Sequence, residues 1–140
     1  MTNNPSELLF TGTEPSRAHA TDAGYDMQSS QTAIIPAGTT RALLTGTSVA
    51  IPDGHVGLIA GRSSLALDGV DVFGGIVDSG FRGELRVVLH NAAHDKTLHV
   101  MKGDRIAQLL VIPVATPPTV EVDELPPADR GDAGFGSTGR

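Results

Sequence analysis

Cysteine is absent from the 140-residue sequence, which excludes disulfides and any cysteine-based zinc or redox centre. Aromatic residues are scarce, 4% of the chain against 39% hydrophobic residues in all. A core must therefore be assembled from Val, Ile, Leu and Ala. Lysine is nearly missing, with only Lys96 and Lys102, and 10 basic residues face 16 acids for a formal net charge of −6. Duplex binding needs a basic face, so no nucleic-acid partner is expected. A few converging arginines can still hold a small phosphate ligand. The longest apolar run, at residues 109–115, falls far short of the roughly 20 residues that span a bilayer. The start, MTNNPSELLF, has neither a basic region nor an apolar stretch. No signal peptide and no membrane partner are expected, and a cytoplasmic protein is.

Glycine and proline are plentiful instead, 17 and 9 residues, as expected where tight turns join short strands. Runs of β-formers at residues 33–35, 41–44, 48–51 and 56–60 are separated by Pro36-Ala37-Gly38 and by the turn Pro52-Asp53-Gly54-His55. Residues 84–90 alternate, with Leu85, Val87 and Leu89 on one face and Glu84, Arg86, Val88 and His90 on the other. A further strand is expected at residues 97–101. Residues 105–113 are apolar on both faces except for Arg105 and Gln108, the pattern of a strand covered on both sides, with another subunit as one cover. The one expected helix, residues 63–68, is short, and its serines suit an N-cap. From Ala115 the composition changes. Pro117, Pro118, Pro126 and Pro127 space out an arm in which Val120 and Val122 would pair as a short edge strand. The chain divides into a β domain over residues 1–114 and an extended arm over residues 115–140, whose glycine-rich end cannot build a core. The pattern favours an all-β barrel or jelly-roll-like sandwich.

Five segments hold residue types suited to phosphate or nucleoside chemistry, and each has a plainer reading. In the tail RGDAGFGSTG, glycines let successive backbone N–H groups face one anion. Arg130 adds a planar fork, Ser137 and Thr138 add hydroxyls, and Phe135 is free to stack on a flat ligand. An ordinary floppy terminus is the alternative. The run Gly61-Arg62-Ser63-Ser64 opens the short helix, where unpaired N–H groups attract anions; serine capping is the plainer use. Apolar residues flank Asp78 between glycines, as in a β-hairpin or tight bend. A carboxylate beside Ile76 and Val77 would be partly desolvated, which suits a general base. An ordinary Asp-Ser-Gly turn is the alternative. Gln108, in an otherwise apolar strand, either ties down a loop or touches a ligand. Asp22 and Asp26 would orient hydrated Mg²⁺ near a phosphate site, or are simply solvated. The five histidines form no metal set, since His90 and His94 straddle a strand end and a turn.

In their order along the chain these segments resemble the five motifs of trimeric dUTPases, here DAGYDM, GRSSLA, GGIVDSGFRGE, GDRIAQL and RGDAGFGSTG, from Asp22 to Gly139. The resemblance implies a jelly-roll-like distorted β-barrel with one short helix. It also implies a homotrimer with three shared active sites, the C-terminal arm exchanged to close over a neighbour's site. The implied reaction is Mg²⁺-assisted hydrolysis of dUTP to dUMP and pyrophosphate, which keeps uracil out of DNA and supplies dUMP for dTMP synthesis. By the same resemblance Asp78 is the general base for a water attacking the α-phosphorus in line. Asp26 would reach the metal indirectly, through water. Arg62, Ser63, Ser64 and Gln108 would bind phosphates. Backbone groups over residues 74–81, Gly75 among them, would pair with the uracil edge, and Phe81 would lie against the deoxyribose. Arg130, Phe135, Gly136, Ser137 and Thr138 would form the closing arm, with Phe135 stacked on uracil.

Three positions depart from the family pattern. Phe81 stands where many members have Tyr, Val72 where many bacterial members have Asn, and Phe73 where Gly or Ser is expected. The sequence offers no account of Phe73. The related dCTP deaminases need a glutamate where this chain has Val88, which counts against deamination. A non-catalytic nucleotide-binding protein on the same fold is the remaining alternative.

Overall fold

The computed structural model describes residues 6–136. Along them run β1 (Leu9–Gly12), β2 (Tyr25–Gln28), β3 (Ala33–Ile35), β4 (Thr40–Leu44), β5 (Thr47–Ala50), β6 (His55–Ala60), α1 (Ser63–Leu67), β7 (Val70–Val72), β8 (Ile76–Val77), β9 (Arg86–Asn91), β10 (Leu98–Val100) and β11 (Arg105–Pro113). The architecture is all-β with one short helix, as expected. The strands are short because turn residues end them: the turn after β5 closes with the His55 amide on the Pro52 carbonyl, 3.2 Å, and Gly54 takes the left-handed φ of 75° that it requires.

Every strand pair is antiparallel. One sheet has the order β2-β11-β6-β8 and a second β4-β9-β7, with β1-β5 and β10-β3 as two-stranded pairs. The alternation read in β9 sets its faces: Leu85, Val87 and Leu89 are buried and Arg86 is exposed. Together with Met27, Ile35, Leu43, Ile51, Ile106 and Leu109 they form one aliphatic core. Each such side chain, fully buried, contributes about 1.5–3 kcal/mol. No helix among the described residues is long and apolar enough to cross a membrane.

Several local expectations are corrected. The strands β1 and β2 had no sequence signal, because all of β1 is exposed and β2 mixes Tyr25 and Met27 with Asp26 and Gln28. Neither serine of α1 is an N-cap. Arg62 holds that position with extended backbone and no side-chain capping bond, so Ser63 and Ser64 fall inside the first turn. The Asp78 segment is not a hairpin either. Strand β7 pairs with β9 while β8 pairs with β6, and successive left-handed glycines, Gly74 (φ 69°) and Gly75 (φ 93°), carry the chain from one sheet to the other. Val120 and Val122 lie outside any strand and are exposed. In β11, Ile106, Ala107 and Leu109 are buried, Leu110 and Val111 half-buried, and Ile112 exposed, which leaves room for the cover expected from another subunit.

Candidate active site

The sheet crossover builds one cleft, of about 680 Å³, lined by Ile59, Gly75, Ile76, Val77, Asp78 and Phe81 among others. Its wall is pinned at Gly75, whose carbonyl accepts the Ile59 amide at 2.7 Å. A side chain at Gly75 would press on the Ile59 carbonyl oxygen. Val77 is buried opposite Gly57 on β6, and strand alternation then turns Ile76 and Asp78 outward. Both are exposed, so the partial desolvation expected of Asp78 is not found within a single chain. Beyond it the Phe81 amide donates to the Asp78 carbonyl, 3.1 Å. The Arg82 guanidinium donates to the carbonyls of Ser79 (2.6 Å) and Phe81 (3.1 Å). The Phe81 ring lies over Gly83, where a Cβ would come within 2.6 Å of it.

A second cleft, of about 310 Å³, opens just past the C-terminal end of β6. Asp22, Gly24, Asp26, Arg62, Ser63 and Gln108 line it. Strand register explains the grouping: Gln108 on β11 faces Asp26 on β2 and Ala60 on β6, and β6 runs on into Gly61 and Arg62. Gln108 ties down a loop, the first of the two uses foreseen for it. Its Nε2 donates to the Gly61 carbonyl at 2.8 Å, and its side chain also faces the cleft. Arg62 donates to the Arg105 carbonyl at 2.9 Å, and Arg105 pairs with Asp26 at 3.6 Å. Gly24 is a position that the sequence did not single out. A Cβ there would lie 2.9 Å from Gln108 Cβ and 3.0 Å from its Cδ, so the first and fourth segments touch only because residue 24 has no side chain.

The structure thus brings Asp26, Arg62, Ser63 and Gln108 together, and separately Gly75, Asp78 and Phe81. Ser64 lies outside both groups, in a neighbouring cleft of about 410 Å³ shared by Arg62, His99 and Arg105. No strand or helix occurs over residues 114–136. The tip of the arm is held by local turns, with the Arg130 Nε donating to the Ala133 carbonyl. Phe135 is fully exposed with a left-handed φ of 49°, and Gly136 is the last described residue. Ser137 and Thr138 lie outside the described residues.

No group of three or more His, Asp or Glu side chains could share a metal ion among the described residues. The polar cleft offers Asp22, which accepts the His19 amide at 3.0 Å, and Asp26, already paired with Arg105. That set fits a magnesium ion that keeps its waters and takes its other ligands from phosphate.

The sequence model of the dUTPase family matches residues 11–139. The deoxyuridine 5'-triphosphate nucleotidohydrolase of Tropheryma whipplei (strain Twist) is 45% identical over 138 residues, covering 96% of this chain and 94% of the relative. That of Paramecium bursaria Chlorella virus 1 is 42% identical over 134 residues, covering 95% and 94%. Among solved structures, the Staphylococcus bacteriophage 80alpha dUTPase with dUpNHpp superposes with a TM-score of 0.89 at 28% identity, covering 96% of this chain and 99% of the other. A mutant dUTPase from phage phi11 of S. aureus, whose structure details the coordination of a structural Mg(II) ion, gives 0.78 at 27% identity, covering 84% and 97%. The fold is therefore the jelly-roll-like β fold of these proteins. A match that spans nearly the whole chain, in sequence and in structure alike, makes it a member of the dUTPase family.

Proposed function

We propose that the chain hydrolyses dUTP to dUMP and pyrophosphate with Asp78 as general base, at sites completed by neighbouring copies in a homotrimer. As a member of the dUTPase family it is a dUTP diphosphatase. The observation that carries the residue assignment is the 680 Å³ cleft, where an exposed carboxylate stands at the rim of apolar walls next to glycine backbone. Its size and lining suit a nucleoside.

In this reading the uracil edge meets backbone groups around Gly75, and the Phe81 ring packs on the deoxyribose. Thymine's methyl collides with the narrow bend, and cytosine presents the wrong donors, leaving polar groups unpaired. Asp78 takes a proton from water as the water oxygen bonds to the α-phosphorus. The bond from that phosphorus to the bridging oxygen breaks in line, and pyrophosphate leaves. Arg62, Ser63 and Gln108 receive the phosphates in the polar cleft, with Ser64 beside them. Mg²⁺ held by the triphosphate and water, with Asp26 reaching it through water, would neutralise phosphate charge. The phage 80alpha neighbour was solved with dUpNHpp, a dUTP analogue, which supports the substrate. The reaction would keep uracil out of DNA and supply dUMP for dTMP synthesis.

The two clefts support the trimer. They share none of their lining residues. Val77 faces Gly57, so Asp78 continues past Val56, away from Ala60 and Arg62. Gly57 and Ala60 are already roughly 10 Å apart along the strand. One nucleotide would then use the base half of one copy and the phosphate half of another. The arm, exposed along nearly all of its described residues, would close over a neighbour's site, with Arg130, Ser137 and Thr138 on phosphates and Phe135 on uracil.

The test is pyrophosphate release from dUTP, dCTP, dTTP and UTP, each with Mg²⁺, by this chain and by Asp78→Asn. Release from dUTP alone, nearly abolished in the variant, is expected. Tight dUTP binding without turnover, or ammonia from dCTP, would overturn the reading.

A further inference from the structure

The Phe73 ring has a use that its sequence position did not disclose. It stacks on the His90 ring with centroids 4.5 Å apart and planes 13° from parallel. Register explains the meeting. Asp71 faces His90 and Val72 faces Leu89 on β9, and the Phe73 amide continues the ladder onto the Val88 carbonyl at 2.9 Å. Phe73 and His90 are thus diagonal neighbours on one face of the sheet, a spacing that aromatic rings can bridge. His90 is held from the other side, where its Nδ1 lies 2.9 Å from the Thr40 hydroxyl on β4. The ring is half exposed, so burial alone does not account for it.

Beyond Phe73 the chain has little to hold it in place. Gly74 and Gly75 both adopt left-handed φ, and nothing lies within 4 Å of where a Gly74 side chain would be. Two such glycines are the least constrained link a chain can have. The crossover is held at its ends, by Phe73 on β9 and by the Gly75 carbonyl on the Ile59 amide. Residues 75–78 then form the wall of the 680 Å³ cleft.

We propose that the Phe73–His90 stack is a clasp that positions the base-reading bend, so that Phe73 and His90 set selectivity among pyrimidines without touching the nucleotide. The inference rests on the functional reading above, and its test separates the two. An aromatic pair of this kind is worth a factor of roughly 2–10 in an equilibrium. In Phe73→Ala, and independently in His90→Ala, the Ile59 amide should exchange with solvent deuterium roughly 2–10 times faster. Amides between β6 and β11 should keep their rates, and Phe73→Tyr, which can still stack, should behave as the parent. KM for dUTP should rise and the preference for dUTP over dCTP fall by a similar factor, with kcat unchanged. Unaltered Ile59 exchange in both alanine variants would overturn the clasp, as would a uniform acceleration across the β6–β11 ladder. Faster Ile59 exchange with unchanged dUTP preference would overturn its role in selectivity. If the parent chain does not release pyrophosphate from dUTP, the functional reading fails, while the exchange rates still decide whether the clasp exists.

Discussion

Replacing Gly24 by alanine tests how the polar cleft is assembled. Gly24 has no left-handed φ, so the effect is steric rather than conformational. The new Cβ would meet Gln108 at its Cβ (2.9 Å), its Cδ (3.0 Å) and its Oε1. The amide end can swing aside, but the Gln108 Cβ is set by β11 between β2 and β6. Swinging the amide breaks its bond to the Gly61 carbonyl, a loss of about 1 kcal/mol. Overpacking adds about 1–3 kcal/mol. The two together correspond to a fall in Tm of roughly 5–15 °C for a domain of this size. Activity should fall more steeply, because a positioning group displaced by about 1 Å costs on the order of 100-fold in rate. Thermal denaturation and kcat/KM for dUTP measure the two effects. The same change in a Gln108→Ala background meets only the Cβ, so its cost there should be smaller by at least about 0.5 kcal/mol. Parent-like Tm and kcat/KM for Gly24→Ala, or strict additivity in the double variant, would refute this account of the cleft.

Asp78→Asn should lower kcat by about 10²–10⁴ while leaving thermal stability unchanged, since the side chain is exposed; circular dichroism melting separates this from misfolding. Leu43→Ala, at a fully buried core position, should cost about 2–5 kcal/mol, read as a lower urea midpoint. Removing residues 129–140 should leave the fold intact, because 114–128 already lie outside the sheets. It should raise KM for dUTP in steady-state kinetics, through loss of Arg130 and Phe135. An unchanged KM would separate the arm from the site.

Much of the fold was legible because it depends on local chemistry. Alternation exposed the buried face of β9, and the Pro-Asp-Gly turn located β5 and β6. The bounds of β11 came from an apolar run ended by proline. By contrast β1 is four exposed residues, recognisable as a strand only through its pairing with β5. The helix cap went to Arg62 because the chain turns helical already at Ser63, one residue earlier than a serine cap implies.

The sequence by itself determined the chemical kinds of group available: one acid between glycines at Asp78, arginines and hydroxyls for phosphate, no cysteine, and a family resemblance through the order of five segments. Which groups share a cleft was decided by the tertiary structure alone. Strand register places Gln108 beside Asp26, Gly24 and Gly61, and the glycine crossover sends Asp78 to a different cleft from Arg62. Phe73, unexplained by its neighbours in sequence, finds His90 across β9. Register joins residues distant along the chain, and residue spacing carries no record of that.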